Sequence, residues 1–176
     1  MYNFGIAVGV KLRSSILFAI GKGQEALVYS AIKSDVLHTA LTMVPFSVCF
    51  GLSRRQIASL YFSASEMQTA FSQMVLFYST VMILDTFVPV LMTLIRTFDM
   101  NFLATCLIFL SFGVPLCVLT YLFVAFAGLE YFSPNLSLLV CNVLTIGGGL
   151  FLLCRNARAN LRGLLQKSYE KLTDVE

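Results

Sequence analysis

The stretch AFSQMVLFYSTVMILDTFVPVLMTLI, residues 70–95, decides the fold. Asp85 is its one charged residue, and Arg96 ends it. A helix rises about 1.5 Å per residue and needs roughly 20 residues to cross the hydrocarbon core of a bilayer, so this run is long enough to span.

Three more runs flank it. Residues 36–52 form a short one that ends at Ser53-Arg54-Arg55, residues 102–129 a long one with room to tilt, and residues 136–154 one followed at once by Arg155. The connections 96–101 and 130–135 are short, which makes the helices they join antiparallel neighbours. Residues 53–69 are mixed in character and extend the second span toward the headgroups. The chain contains no internal repeat, low-complexity tract or linker. The expectation is therefore an all-α, polytopic transmembrane bundle of four spans. It comprises an interfacial, amphipathic segment at 1–33, the transmembrane unit at 34–154 and a basic amphipathic helix at 155–176.

Composition supports lipid as the solvent. Of 176 residues, 58% are hydrophobic and 12% charged, with mean hydropathy +0.84, whereas a soluble domain carries about 25% charged residues. A body this small keeps too much surface to hide so much apolar area in one core. Sixteen Phe and no Trp leave the seven Tyr as the candidate aromatic anchors at the interface. The net charge is +3, and basic residues sit at the ends of apolar runs rather than in a tract interleaved with aromatics, which argues against nucleic-acid binding.

Lys and Arg placement sets the expected orientation. The tail carries Arg155, Arg158, Arg162, Lys167 and Lys171, while the loop 130–135 has no basic residue. The positive-inside rule puts the C-terminus on the cytoplasmic or matrix side, and four spans return the N-terminus there, in agreement with Lys11, Arg13, Lys22 and Lys33. Arg54 and Arg55 conflict with this arrangement. Lys11 and Arg13 also interrupt the continuous apolar core that a secretory signal needs. Residues 1–33 suit an interfacial helix or an acid-poor, basic import sequence, and the interfacial helix is the expectation adopted. The same acid-poor character tilts the expected compartment toward the mitochondrial inner membrane over the endoplasmic reticulum.

The polar residues within the spans are few. Tyr78, Met82, Asp85, Pro89, Met92 and Arg96 recur every three or four residues and line one helix face as a packing seam. An ionised Asp85 near mid-span costs several kcal/mol unless it is paired or faces water. Pro89 leaves the Asp85 carbonyl without its helical donor, so a kink is expected there. Two readings of Asp85 follow: it pins helix packing within this chain or against another subunit, or it belongs to an ion path with Arg96 at its mouth. His38, Thr42, Pro45 and Cys49 give the first span a weakly polar face. In the last span Asn142, Thr145 and Gly149, with Gly147 and Gly148 beside them, read as a small-residue packing seam. Pro115 and Gly113 are expected to loosen the third span.

No catalytic group emerges. With one His, no paired nucleophile and base, no phosphate-cradling glycine loop and no CxxC or Cys/His cluster, the sequence points to no enzyme, no metal and no cofactor. The expected function is that of an accessory or structural membrane subunit packed against other helices in a hetero-oligomeric complex. The alternative is a small oligomeric channel or transporter built on Asp85 and the Pro89 kink, and both place the chain in the lipid bilayer.

Overall fold

The computed structural model describes residues 2–127 and 132–173. Every regular element among them is α-helical: α1 Tyr2–Gly21, α2 Glu25–Leu52, α3 Arg54–Tyr61, α4 Ser65–Thr97, α5 Asn101–Phe112, α6 Val114–Ala127 and α7 Ser133–Thr173. Five helical stretches are long and apolar enough to cross a membrane, with α5 and α6 counted as one. Three of them contain the runs expected at 36–52, 70–95 and 136–154, a fourth covers residues 102–126 of the run expected at 102–129, and the fifth lies in α1, expected as a surface segment. These apolar helices are those of an integral membrane protein.

α4 is the central post, packing on α1, α2, α3, α5 and α7. Its buried side chains cluster in its second half, from Val81 through Val90 to Ile95. α1 lies parallel to α4 at very close range. A Cβ on Gly5 would stand 2.5 Å from the Thr86 carbonyl oxygen, and one on Gly9 would stand 2.6 Å from Thr93 Oγ1. Only residues without side chains let the two backbones approach this far. That contact docks α1 against α4, and Leu12 and Ile16 of α1 are fully buried.

α1 and α2 form an antiparallel hairpin about Gly23, which has φ 66° and caps α1 while Gln24 N–H donates to the Ala19 carbonyl at 3.2 Å. Lys11 Nζ reaches Asp35 Oδ1 across the hairpin at 3.0 Å. α2 runs antiparallel to α4, with the Ser47 hydroxyl donating to the Ser79 carbonyl and Gly51 set against Ser79 and Leu76. Its buried face is Asp35, Thr39, Met43, Ser47 and Gly51, at four-residue spacing.

α4 ends in a turn with Asp99 at φ 61°, and Met100 N–H donates back to the Ile95 carbonyl at 3.2 Å. The next span is broken in two at Gly113, as the Gly113–Pro115 pair led us to expect. The final residues of the expected 102–129 span, and most of the loop expected at 130–135, lie outside the described residues. α7 runs parallel to α4: Phe132, just before it, stacks on Phe77 at 5.8 Å, Gly149 sits on Leu91 and Ile95, and Asn160 Nδ2 donates to the Phe98 carbonyl at 3.0 Å. It is one continuous helix from Ser133 to Thr173, across residues 154 and 155.

These contacts fix a common register. Arg13 lies level with the end of α4, Lys33 faces that level across the hairpin, and Arg155 follows just beyond it. Residues 14–21 of α1 thus project about 12 Å past α4. There Ile16, Ala19 and Ile20 join Val28, Phe98 and Leu161 in the main apolar cluster. The described part of α1 starts three residues before the Gly5–Thr86 contact, so it accompanies roughly the last two-fifths of α4.

Candidate functional site: the cleft around Asp85

α1 and α5 flank α4 without packing on one another. The gap between them is a cleft of about 600 Å³, within the size range of ligand pockets. Val88, Pro89 and Met92 of α4 line it, with Ile6 and Val10 on the α1 side and Ile108 and Phe112 on the α5 side. Leu138 of α7 completes the wall. Asp85 lies toward one end, and Arg13 and Arg96 toward the other. Along the α4 axis, Asp85 and Arg96 are separated by roughly 16 Å. That distance is about half the ~30 Å hydrocarbon thickness of a bilayer.

The helices position these groups for simple reasons. Asp85, Pro89, Met92 and Arg96 share a face because of their three- and four-residue spacing. Arg13 joins them from a distant part of the sequence because Gly5 and Gly9 hold α1 in register with α4. Thr93 contributes no free donor, since its hydroxyl donates to the Pro89 carbonyl at 2.9 Å. Among the described side chains, none hydrogen-bonds or ion-pairs with the Asp85 carboxylate, whose charge interacts with that of the chain's own amino terminus. Chemically, the cleft presents one acid at depth, two guanidinium groups at its far end, and apolar walls.

The expected seam on α4 is divided. Met82, Pro89 and Met92 are buried, whereas Tyr78 and Arg96 are exposed and Asp85 is half-buried. On α7, Thr145 is fully buried, and Gly148 and Gly149 meet Leu107 and Leu91. Gly147 points away, with nothing within 4 Å of the Cβ it lacks. Asn142 is fully buried, yet neither its amide nitrogen nor its oxygen has a partner. The hydrogen bond expected of it across a helix contact is therefore not made within the described chain.

His38, Thr42, Pro45 and Cys49 face outward together, on the opposite side of α2 from its buried stripe. His38 does not approach Asp85 through any contact. Arg54 and Arg55, which conflicted with the basic end, line a polar hollow of about 360 Å³ at the other end of the bundle with Gln68, Thr69, Ser72 and Gln73.

Two features escaped the sequence reading. The Lys11–Asp35 pair was legible in principle, because both residues stand twelve positions from Gly23, as a hairpin requires. The Gly5 and Gly9 approach to α4 had the small-xxx-small signal but sat in a segment read as interfacial. Among the described residues, no group of three or more His, Cys, Asp and Glu side chains could hold a metal ion. No family model, curated protein or solved structure matches this chain.

Proposed function

We propose that this chain is a non-catalytic subunit of a larger membrane complex, packing its helices against those of other subunits. The observation that carries the reading is the outward stripe of α2. His38, Thr42, Pro45 and Cys49 lie exposed at four- and three-residue spacing along a helix otherwise suited to lipid. Polar side chains at membrane depth normally face a bundle interior, so a partner helix is the natural neighbour of this face.

The topology we propose has four full crossings, by α2, α4, the α5–α6 pair and α7. The described part of α1 covers the half-depth nearest the basic end. Lys22, Lys33, Arg155 and Arg162 then share the matrix or cytoplasmic side. The first residues of α1, expected on that side, instead descend along α4. The basic, acid-poor start of the chain favours the mitochondrial inner membrane as the compartment.

Purification in mild detergent followed by native mass spectrometry tests the proposal. The expected result is a stable assembly with at least one other membrane protein. A chain that stays monomeric in every detergent and in lipid nanodiscs refutes it. The cleft holding Asp85 supports a second reading, that of a small channel or transporter. Flux through liposomes carrying the purified chain, compared with Asp85→Asn, separates the two: flux that depends on Asp85 favours transport, and none favours the subunit.

A further inference from the structure

The end of the bundle opposite Arg13, Arg96 and Arg155 carries two cavities that meet. One is the polar hollow of about 360 Å³ lined by Arg54, Arg55, Gln68 and Gln73, with the fully buried Ala58 of α3 in its wall. Phe62 and Tyr61 pack on Phe71 at 5.1 and 6.0 Å, which holds α3 against α4 beside it. The other is a groove of about 230 Å³ between α2 and α4, lined by Val48, Leu52, Leu76 and Ile83. Arg54 and Leu76 line both. The groove is apolar in effect, because the Ser47 and Ser79 hydroxyls donate to the Ser79 and Leu76 carbonyls.

Unpaired positive charge marks the hollow. Among the described residues, neither Arg54 nor Arg55 pairs with a carboxylate. Glu66, the only acid between Asp35 and Asp85, lines the adjoining hollow with Ser65 and Ala70. Thr69 and Ser72 direct their hydroxyl protons to the Ser65 and Thr69 carbonyls, and Gln68 donates to the Phe62 carbonyl at 2.7 Å. The donors that remain are chiefly the two guanidinium groups and the Gln73 amide, a set suited to phosphate. Depth fits as well. The ~30 Å of hydrocarbon in a bilayer matches roughly 20 helical residues, and counting these back from Arg96 ends near Leu76. The hollow thus lies at headgroup level, and the groove follows α4 for roughly 10 Å into the hydrocarbon.

We infer that the two cavities form one phospholipid site, in which Arg54 and Arg55 hold the lipid phosphate and an acyl chain lies between α2 and α4. A free phosphate shares the headgroup chemistry but leaves the groove unfilled. Two cations match an anionic headgroup better than one neutralised by its own amine. The inference needs only that α4 crosses the bilayer, and it stands or falls apart from the subunit reading.

The test is titration of the full chain, purified in mild detergent and stripped of lipid, with phosphatidylglycerol, read by native mass spectrometry. The expected result is one retained lipid, bound about tenfold or more weakly when Arg54→Gln and Arg55→Gln are combined, as for losing hydrogen bonds to a charged group. Arg155→Gln with Arg162→Gln removes the same charge at the other end and leaves the affinity unchanged. Val48→Phe, at a position 51% exposed, fills the groove and weakens binding with both arginines intact. Unchanged lipid-free unfolding midpoints show that the variants fold, and Val48→Phe decides the matter if the arginine variant does not. A diazirine on the acyl chain should label residues 48–52 or 76–83. Affinity indifferent to the Arg54 and Arg55 changes, or label spread over every lipid-facing helix, means bulk lipid only and overturns the inference. Diacylglycerol binding as tightly as the phospholipid overturns the phosphate contact. Inorganic phosphate binding as tightly overturns the lipid as its source. A photoreactive residue at Gln73 that captures protein instead of lipid in intact membranes overturns the site altogether.

Discussion

Replacing Gly5 by Ala places a methyl carbon 2.5 Å from the Thr86 carbonyl oxygen and 3.3 Å from Pro89 Cγ. Ordinary contact begins near 3.4 Å, so the first of these distances is short by about 0.9 Å. The obstacle is backbone, and Thr86 is itself fully buried, with its hydroxyl donating to the Met82 carbonyl at 2.8 Å. α4 cannot yield locally, so α1 must back away. A radial gap of 0.5–1 Å already forfeits roughly a quarter to a half of the dispersion attraction across it. Overpacking of this kind costs about 1–3 kcal/mol, against which Ala returns at most about 1 kcal/mol of helix propensity. The expected net effect of Gly5→Ala is a loss of about 1–2 kcal/mol, read as a lowered midpoint in reversible unfolding in mixed micelles. Gly147→Ala is the matched control. Nothing lies within 4 Å of its new methyl, so its midpoint stays level or rises. A Gly5→Ala protein as stable as wild type would refute the close α1–α4 contact. A Gly147→Ala loss of equal size would refute the claim that space, rather than glycine content, governs both sites.

Three further expectations follow from the same contacts. Lys11→Ala removes the partner of Asp35, which is 5% exposed. Because Lys11 itself is largely in solvent, the loss should be roughly 1–2 kcal/mol rather than that of a fully buried pair, and Asp35→Asn should rescue part of it in the same unfolding assay. Asn142→Leu replaces a buried carboxamide without a partner by an apolar side chain of similar size. The isolated chain should keep or gain stability, whereas a clear loss would reveal a polar partner. Gly23→Ala forces a side chain into φ 66° and should cost about 1–2 kcal/mol, with Gly21→Ala, which has open space around it, as the control.

The Lys11–Asp35 pair shows why part of the architecture was readable beforehand. A tight turn pairs positions equidistant from its centre, so a glycine able to adopt positive φ predicts which charges meet. The α4 seam was only partly readable. Spacing places Tyr78, Asp85 and Arg96 on one face with Met82, Pro89 and Met92, but neighbours cover the middle of that face and leave Tyr78 and Arg96 exposed. The same holds for Gly147, Gly148 and Gly149. Adjacent residues on a helix point about 100° apart, so no more than part of the triplet can face one contact.

By itself, the sequence determined the solvent and the secondary structure. Runs of apolar residues long enough to cross a bilayer prefer hydrocarbon, and a backbone in hydrocarbon must satisfy its own hydrogen bonds, which a helix does locally. Only the tertiary structure decided that α1 docks on α4 and that Arg13 comes to share a cleft with Asp85 and Arg96. The reason is range. Solvent preference is a sum over one segment, whereas docking depends on whether glycines more than eighty residues away from a carbonyl leave room for it, and no local pattern encodes that complementarity.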